Sequence, residues 1–333
     1  YATYSQRGNI VGNNITILNG GAGIFQSNCD GIVSTPTWIT NNSISVNAAN
    51  TSSYGIYSLY SNYQYFYSNS IHVYGAASYS YSVYLFYNTA SYANNRFYNN
   101  IVSNSGGGYG YYVYNPTYCA SDYNNIYAST AAYTAQTSVP NSSYNISTWK
   151  NATRDAASIS YRPGFTSDVN LMPNPADSAS WSVNGRALPQ GTITTDINGV
   201  ARSINIPGGT VDLGAYEFTP TSTPPAAIAT PALPAAGTTQ LFLFGGDTVA
   251  SISWAVGSTV PSVFTVRAYS GAIAPAITSG NYQFAYTKLD GTNGNYNYTL
   301  RYYFKDIWMG NVSTKSLLKL AKYNATTSWS TDT

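Results

Sequence analysis

The sequence predicts an all-β protein in which a right-handed parallel β-helix is followed by a small β-sandwich. Three observations lead to this fold class. Two short motifs recur in step along the first 145 residues, one centred on asparagine and one of the type Gly/Ser–apolar–aromatic. No segment in that region has the apolar periodicity of a helix. A short repeat unit cannot bury its own apolar side, so it must stack on its neighbours as the coils of a solenoid do.

The asparagine motif sets the period of the repeat. It recurs at intervals of 25 to 31 residues when aligned on Asn14, Asn42, Asn69, Asn100 and Asn125. The second motif keeps a similar interval, with its small residue at Gly23, Gly55, Ser82 and Gly110. Asparagine tolerates the left-handed backbone of tight turns, so a recurrent asparagine corner fits a coil of short strands. A β-sandwich is the competing architecture, but two motifs in step favour the solenoid.

The chain divides into four parts. Residues 1–145 are predicted to form the β-helix coils, and residues 146–218 a terminal coil and cap. Residues 219–236 have five prolines and no charge, which is typical of an extended linker. Residues 237–333 contain five apolar–polar alternating runs that predict a β-sandwich. In that module, Leu289–Asn295 is predicted to be a hairpin turn and residues 314–322 a short helix.

The composition is typical of a secreted or cell-surface β-protein. Only 8% of the 333 residues are charged, against about 25% in ordinary domains, while 34 are tyrosine. The net charge of +2 gives no reason to expect a nucleic acid or an anionic membrane as partner. No apolar run approaches the roughly 18 residues of a membrane span. We therefore expect an extracellular location, with this chain a processed or fragmentary piece of a longer polypeptide.

The two cysteines, Cys29 and Cys119, are predicted to be unpaired. They follow the first and fourth copies of the second motif, so they lie about three coils apart. At the spacing of neighbouring strands this separation is about 14 Å. A disulfide requires Cα atoms within about 7 Å. We expect two buried thiols that act as small hydrophobic side chains.

The end of the coil region carries a recognisable pattern, DINGVAR at Asp196–Arg202 and VDLGAYEF at Val211–Phe218. With these motifs, residues 10–218 resemble bacterial right-handed parallel β-helix repeat proteins of cell surfaces. Residues 237–333 resemble modules that follow β-helices in secreted proteins of Bacteroidetes-like bacteria, ahead of a type IX secretion sorting tail. The charges in the pattern are expected to form a buried network that closes the last coil and protects its edges: Asp196, Arg202, Asp212 and Glu217.

The coils are not predicted to be catalytic, although many parallel β-helices are polysaccharide lyases or glycosidases. Glycoside hydrolysis needs two carboxylates about 5–9.5 Å apart. The acids of the coils, Asp30 and Asp122, lie about three coils apart, or roughly 14 Å. His72, between two apolar residues, is interpreted as a partly exposed structural histidine. We expect no metal and no cofactor. The alternative is a lyase or glycoside hydrolase whose catalytic coils lie outside this segment.

An exposed column of aromatic residues is the better functional candidate. Alignment of the second motif places Ile24, Ile56, Val83 and Tyr111 inward. The side chains predicted to face outward are Phe25, Tyr57, Tyr84 and Tyr112, with Leu59, Phe86 and Tyr114 two residues further on. Flat apolar rings with hydroxyl groups are suited to stacking on sugars. The column could equally stabilise the sheet by cross-strand packing or lie beneath another subunit.

These observations predict a structural or adhesive protein of the cell surface. Its rigid coils would present faces rich in tyrosine and asparagine to polysaccharides, to cell-surface glycans or to other protein subunits of an assembly. A passive spacer is a third interpretation. Two Asp-Ser/Thr-apolar triplets resemble the O-glycosylation motif of Bacteroidetes, which makes Ser178 and Thr248 candidate modification sites.

Overall fold

A computed structural model describes residues 1–49, 52–77, 79–151, 153–206, 208–275, 277, 280–292, 296–319, 321–324 and 328–331. The first 144 residues form a parallel β-solenoid of about five turns, as predicted. Its strands, in chain order, are β1 (Ala2–Thr3), β2 (Ile10–Val11), β3 (Asn14–Ile17), β4 (Gly21–Ser27), β5 (Thr37–Thr40), β6 (Ser43–Asn47), β7 (Ser53–Leu59), β8 (Gln64–Tyr67), β9 (Ser70–Tyr74), β10 (Ser80–Phe86), β11 (Asn95–Tyr98), β12 (Ile101–Asn104), β13 (Tyr109–Val113), β14 (Cys119–Asp122), β15 (Asn125–Ala128), β16 (Ala135–Ser138) and β17 (Asn141–Tyr144).

Every third strand belongs to the same sheet. The first sheet has the order β1-β4-β7-β10-β13-β16, all parallel, and β17 returns antiparallel to β16. The second sheet is β2-β5-β8-β11-β14 and the third is β3-β6-β9-β12-β15, both parallel throughout. Equivalent residues of successive coils pair, so one residue type repeated at the period forms a column along the solenoid axis.

The apolar columns meet inside the solenoid. The predicted inward column is buried, and its members pair in register: Ile24, Ile56, Val83 and Tyr111. The glycine before three of them, at positions 23, 55 and 110, has a steric cause. A Cβ at Gly55 would overlap Cγ2 of Ile71 in the third sheet and the carbonyl oxygen of Ser82 in the next coil. The Gly/Ser motif therefore marks the place where the first sheet approaches the third.

An asparagine ladder runs along the corner between the second and third sheets. Each Nδ2 donates to Oδ1 of the asparagine in the next coil at 2.9–3.1 Å, through Asn13, Asn42, Asn69, Asn100 and Asn124. The sequence alignment on Asn14 and Asn125 was wrong by one residue at each end. Asn14 pairs with Ser43, and Asn125 pairs with Ile101.

The asparagine doublets of the sequence follow from the geometry of this corner. The residue before each ladder asparagine has a left-handed backbone, with φ of 53° at Asn41 and 60° at Asn99. Asparagine accepts that conformation more readily than other residues with a side chain. In the doublets Asn41–Asn42 and Asn99–Asn100 the first asparagine therefore makes the turn, and the second joins the ladder. At the two ends, Gly12 and Tyr123 make the turn, and Asn13 and Asn124 join the ladder.

A short helix closes the far end of the core. Asn145 caps helix α1 (Ile146–Trp149) by accepting a hydrogen bond from the Thr148 N–H. The Trp149 ring is fully buried against the core, with Tyr111 and Tyr144 at centroid distances of 5.8 and 5.3 Å. Its indole N–H donates to Asp155, which also accepts from the last ladder asparagine. The core and the ladder thus end on the same pair of residues, Trp149 and Asp155.

The chain then runs back along the side of the solenoid. This segment, up to residue 218, is mostly irregular, with a 3-10 turn at Ser178–Ser182. Leu188 exchanges two backbone–side-chain hydrogen bonds with Asn99 at 2.8 Å, and Asn41 donates to the Thr195 carbonyl at 2.8 Å. Only the beginning of the region predicted as terminal coil and cap therefore covers the end of the core. The rest lies against earlier coils.

The C-terminal module is built from antiparallel sheets that fit a small β-sandwich. One sheet has the order β18-β19-β20-β23 and a second pairs β21 with β22. Phe242 and Ile252 of the first sheet pack with Val266 of the second. The strands are β18 (Ile228–Thr230), β19 (Thr239–Phe244), β20 (Asp247–Trp254), β21 (Phe264–Ser270), β22 (Ala285–Gly291), β23 (Tyr298–Tyr302), β24 (Ala321–Asn324) and β25 (Ser328–Thr331).

Three local predictions need correction or completion here. Part of the predicted linker is strand β18, because its backbone extends the edge of the sheet beside β19. The helix predicted over 314–322 is a single 3-10 turn, Lys315–Leu317, followed by β24, which pairs with β25. The predicted hairpin turn falls partly on Asn293–Asn295, outside the described residues, and the part before it belongs to β22.

Candidate functional site: the aromatic face of the solenoid

The outer surface of the first sheet carries two rows of aromatic rings, which we call the aromatic face. Successive coils pair in register, so rings at equivalent positions become neighbours along the axis. The first row consists of Tyr54, Tyr81 and Tyr109. The second row is the predicted column, Phe25, Tyr57, Tyr84 and Tyr112.

The first row is regular. The rings of Tyr54 and Tyr81 are 5.9 Å apart at an interplanar angle of 6°, and those of Tyr81 and Tyr109 are 5.5 Å apart at 10°. These centroid distances exceed the strand spacing of about 4.8 Å. The parallel rings are therefore displaced sideways from one another in an offset stack. All three side chains are half-buried. Each of these three coils therefore presents part of one ring of this row to solvent.

The second row packs more tightly. Tyr57 meets Phe25 and Tyr84 edge to face at 5.4 and 5.1 Å, while Tyr84 stacks on Tyr112 at 4.2 Å. Tyr112 is only 5% exposed and its hydroxyl shares a 2.6 Å hydrogen bond with Ser138. The structure brings the predicted column together, but its last ring serves the packing of the sheet and is hardly accessible.

The third predicted set lies at the edge of this face. Leu59 pairs with Phe86, and the Phe86 ring meets Tyr114 edge to face at 5.6 Å. All three side chains are half-buried. Two further rings continue the surface around the corner, Tyr60 and Tyr87, stacked at 4.7 Å.

The first row was not predicted from the sequence, because strict alternation along each strand would turn these tyrosines inward. Gly55 and Ile56 are consecutive and both buried, so alternation is broken at the small residue. Tyr54 therefore faces outward together with Tyr57. The signal was present in the sequence, since a tyrosine recurs three residues before each outward tyrosine, at positions 54, 81 and 109.

Burial favours the protonated form of the Tyr54, Tyr57 and Tyr81 hydroxyl groups. Burial, followed by the neighbouring tyrosines, raises the pKa of Tyr81 to about 12. Burial also raises the pKa of Tyr54 and Tyr57 above the ordinary tyrosine value. A neutral phenol both donates and accepts hydrogen bonds. The face is therefore uncharged, apolar on its rings and polar at its rim.

The charged residues of the terminal motif also come together. Arg202 Nη1 lies 2.9 Å from Glu217, and the guanidinium donates to the carbonyls of Asp212 and Gly214. Asp196 accepts from the Glu217 N–H at 2.9 Å. Burial, followed by the charge of Asp212, raises the pKa of Glu217, whereas Arg202 opposes this shift.

This network lies beside the third sheet and not over the last coil, so its predicted position was wrong. The Gly214 N–H donates to the Asn99 carbonyl at 2.8 Å, and the Ala215 N–H donates to Ser70 Oγ at 3.0 Å. The network therefore fastens the returning segment to the middle coils. It also borders a groove of about 420 Å³ between this segment and the sandwich, whose walls include Trp181 and Asn184.

His72 is buried and partnered, so the prediction of a partly exposed histidine was wrong. It is 5% exposed, with Nδ1 3.1 Å from Ser103 Oγ and Nε2 3.1 Å from Asp168 Oδ1. Burial lowers the pKa of His72, and Asp168 opposes this shift. Ser103 is buried, so its hydroxyl is shielded from any substrate. The contacts anchor the returning segment to the third sheet.

The candidate modification sites differ in accessibility. Ser178 is exposed at the first residue of a 3-10 turn, next to Asp177, which is paired with Arg162. Thr248 is half-buried near the start of β20. Ser178 is therefore the better placed of the two for an enzyme to reach.

The two cysteines and the two acidic residues of the coils lie at different positions of the solenoid. Cys29 and Cys119 are free and buried, and burial raises the pKa of Cys119 to about 12. The backbone of Asp30 forms isolated parallel β-bridges with Gln6 and Asn62, whereas Asp122 is the last residue of strand β14. Within the described ranges, no cluster of three or more His, Cys, Asp or Glu side chains could hold a metal ion.

Comparisons with known proteins add no relative. The chain matches no protein-family model, no curated protein and no solved structure. In the part of the chain that the structure describes, no helix is long and apolar enough to cross a membrane. Functional inference therefore starts from the fold and from the geometry of the aromatic face.

Proposed function

We propose that this chain is an extracellular structural and adhesive protein whose solenoid presents the aromatic face to polysaccharide chains. The observation that carries the proposal is the row of Tyr54, Tyr81 and Tyr109, which offers one parallel, half-buried ring per coil. Only 8% of the residues are charged, which supports binding of an uncharged partner.

The chemistry of the face fits a sugar chain better than an ionic partner. A sugar ring has an apolar C–H face and a polar rim, which match an aromatic ring with a neutral hydroxyl group. The rings repeat at 5.5–5.9 Å, so an extended polysaccharide aligned with the axis can meet several of them in succession. The same rings could instead pack against another subunit of a surface assembly, which the test below separates.

We further propose a bacterial cell-surface location, with a C-terminal module of the type associated with type IX secretion. The support is the terminal pattern at Asp196–Arg202 and Val211–Phe218 together with the solenoid fold. In the alternative function, a polysaccharide lyase or glycoside hydrolase, the catalytic coils would lie outside this segment. The assay therefore includes product detection.

The test is affinity electrophoresis of the full chain through gels that contain individual polysaccharides, each strip also assayed for new reducing or unsaturated ends. We expect retardation without product, lost in the double variant Tyr54→Ala/Tyr81→Ala. The matched control is Tyr286→Ala, which removes one ring of the stacked pair Tyr269–Tyr286 on the sandwich, 4.3 Å apart. Thermal unfolding of each variant checks that it is folded.

Three outcomes contradict parts of this proposal. Retardation that survives in the double variant would exclude the aromatic face as the binding surface. Product formation would contradict the non-enzymatic function and would point to a catalytic arrangement among the charged residues of this chain itself. No retardation on any polysaccharide, combined with self-association that the double variant abolishes, would assign the face to contacts between subunits.

A further inference from the structure

The junction between the solenoid and the sandwich contains three cations around one carboxylate. Asp247 lies 2.5 Å from Lys150 Nζ, 2.8 Å from Lys305 Nζ and 3.7 Å from Arg186 Nη1. Lys150 and Arg186 belong to the segment after the last coil, whereas Asp247 and Lys305 belong to the sandwich. The side chains of the two lysines and the aspartate are 13–17% exposed, and that of Arg186 is 3% exposed.

The surroundings of this cluster leave the arginine without hydrogen bonds at its outer edge. Arg186 Nε donates to the Trp181 carbonyl at 3.4 Å, but Nη1 and Nη2 are buried and make no hydrogen bond within the described residues. The rings of Phe244 and Trp308 lie 5.3 Å from the guanidinium carbon. Cation–π contacts of this kind engage the faces of a guanidinium, whereas its N–H groups point outward in its plane.

The charges at the junction do not balance. Among the described residues, Asp247 is the carboxylate paired with these three cations, so two positive charges remain in excess. Holding an unpaired ion in a protein interior costs several kcal/mol. Burial lowers the pKa of Lys305, which can remove one charge by deprotonation. The guanidinium cannot lose its proton under ordinary conditions.

We propose that the junction binds one small inorganic anion of the halide class between the outer edge of Arg186 and the two lysines. The anion would accept hydrogen bonds from Nη1 and Nη2 and would offset the excess charge. A monatomic ion suits the place because Arg186 is almost completely enclosed, with aromatic rings against it. This inference is independent of the aromatic face and of any glycan.

The proposed site is complete only when the two parts of the chain are docked. Its donors come from the segment after the last coil, Lys150 and Arg186, and from the sandwich, Lys305. A ligand that binds the folded state alone stabilises it in proportion to the logarithm of its concentration once above its Kd. Halide should therefore raise the temperature at which the sandwich separates from the solenoid.

The experiment is thermal unfolding of the full chain, with chloride or bromide exchanged for gluconate at constant ionic strength. We expect Tm to rise by several degrees with halide, in a saturable manner, because gluconate is too large for the enclosed site. The variant Arg186→Met should lose this response. Arg162→Met is the matched control, because it removes an exposed arginine paired with Asp177 at 2.7 Å, and it should keep the response.

A second measurement covers the case in which Arg186→Met does not fold. Crystals of the unaltered chain grown with bromide should show an anomalous peak beside Arg186. The proposal is overturned if Tm is indifferent to halide, if Arg186→Met responds as the unaltered chain does, or if bromide is found elsewhere only. A response to pH without a response to halide would instead show that deprotonation of Lys305 relieves the charge.

Discussion

The side-chain amide of Asn69 donates to Oδ1 of Asn100 at 2.9 Å, while its own Oδ1 accepts from the amide of Asn42 at 2.9 Å. The same Nδ2 also donates to the Ile39 carbonyl at 2.8 Å. Each buried rung of the ladder thus satisfies groups in two neighbouring coils. Because these polar groups lie in the interior, a missing rung removes hydrogen bonds from several of them at once.

Replacement Asn69→Ala is expected to lower the free energy of unfolding by about 3 kcal/mol or more, since the side chain takes part in four buried hydrogen bonds, each of which contributes about 0.5–1.5 kcal/mol. The groups that lose a hydrogen bond are the backbone N–H and side-chain amide of Asn42, Asn100 Oδ1 and the Ile39 carbonyl. Urea unfolding followed by circular dichroism measures the change. Asn13→Ala, at the exposed first rung, is the control and should cost less than about 1 kcal/mol. Equal losses at the two rungs would contradict the ladder as a source of stability.

The small-residue column gives a steric prediction. Gly55→Ala should destabilise the solenoid by about 3 kcal/mol, in the range of overpacked cores, because the added Cβ overlaps both Ile71 and the Ser82 backbone. Gly191→Ala is the matched control, because a Cβ at Gly191 meets open space, and it should change stability by less than about 0.5 kcal/mol. Denaturant unfolding of both variants compares the two. Full stability of Gly55→Ala would show that the first and third sheets approach less closely here.

His72 predicts a loss of stability on acidification. Its pKa is lowered by burial, so below about pH 6.5 the unfolded state binds more protons than the folded state. The free energy of unfolding should therefore fall between about pH 7.5 and pH 5.5, by at most about 1.4 kcal/mol per pH unit. His72→Asn removes this titration. The raised pKa values of Asp212 and Glu217 act with the opposite sign but are present in both proteins, so the difference isolates His72. Parallel pH profiles would contradict the prediction.

The two thiols predict a simple labelling pattern. Cys29 and Cys119 are buried, and the pKa of Cys119 is raised to about 12 by burial, so neither should react with a thiol reagent in the native protein at neutral pH. Both should become reactive together as denaturant unfolds the solenoid. Reaction is followed by absorbance of the released thiolate. If one thiol per chain reacted rapidly in the native state, a coil of the solenoid would have to open locally.

The period of the solenoid was predictable because its determinants are local and repeated. Gly23 and Gly55 mark the contact between sheets, and their positions were predicted correctly. The asparagine register was wrong at both ends because a doublet offers two candidates. The deciding fact is which residue takes the left-handed turn, because the residue after it joins the ladder. Asn41 takes the turn before Asn42, whereas Gly12 and Tyr123 take it before Asn13 and Asn124.

The path of residues 146–218 was not predictable in the same way. Its contacts join residues far apart in sequence, such as Asn41 with Thr195 and His72 with Asp168. No periodicity in the sequence predicts such contacts. For the same reason the charged junction went unseen, since Lys150 and Lys305 meet only through Asp247. The terminal motif predicted which charged residues form the network. It did not predict that the network lies against the third sheet.

The asparagine ladder has a direction, because every amide between Asn13 and Asn100 donates toward the next coil. Asn124 donates in turn to Asp155, whose carboxylate also receives Ser158 and Trp149. The Asp155 side chain accepts in all three of these hydrogen bonds, so it ends the series. A tandem duplication of one coil in the gene would insert a rung that already fits both neighbours, lengthening the rod by about 4.8 Å. The solenoid can therefore change its length by whole coils during evolution, while the end of the ladder at Asp155 stays the same.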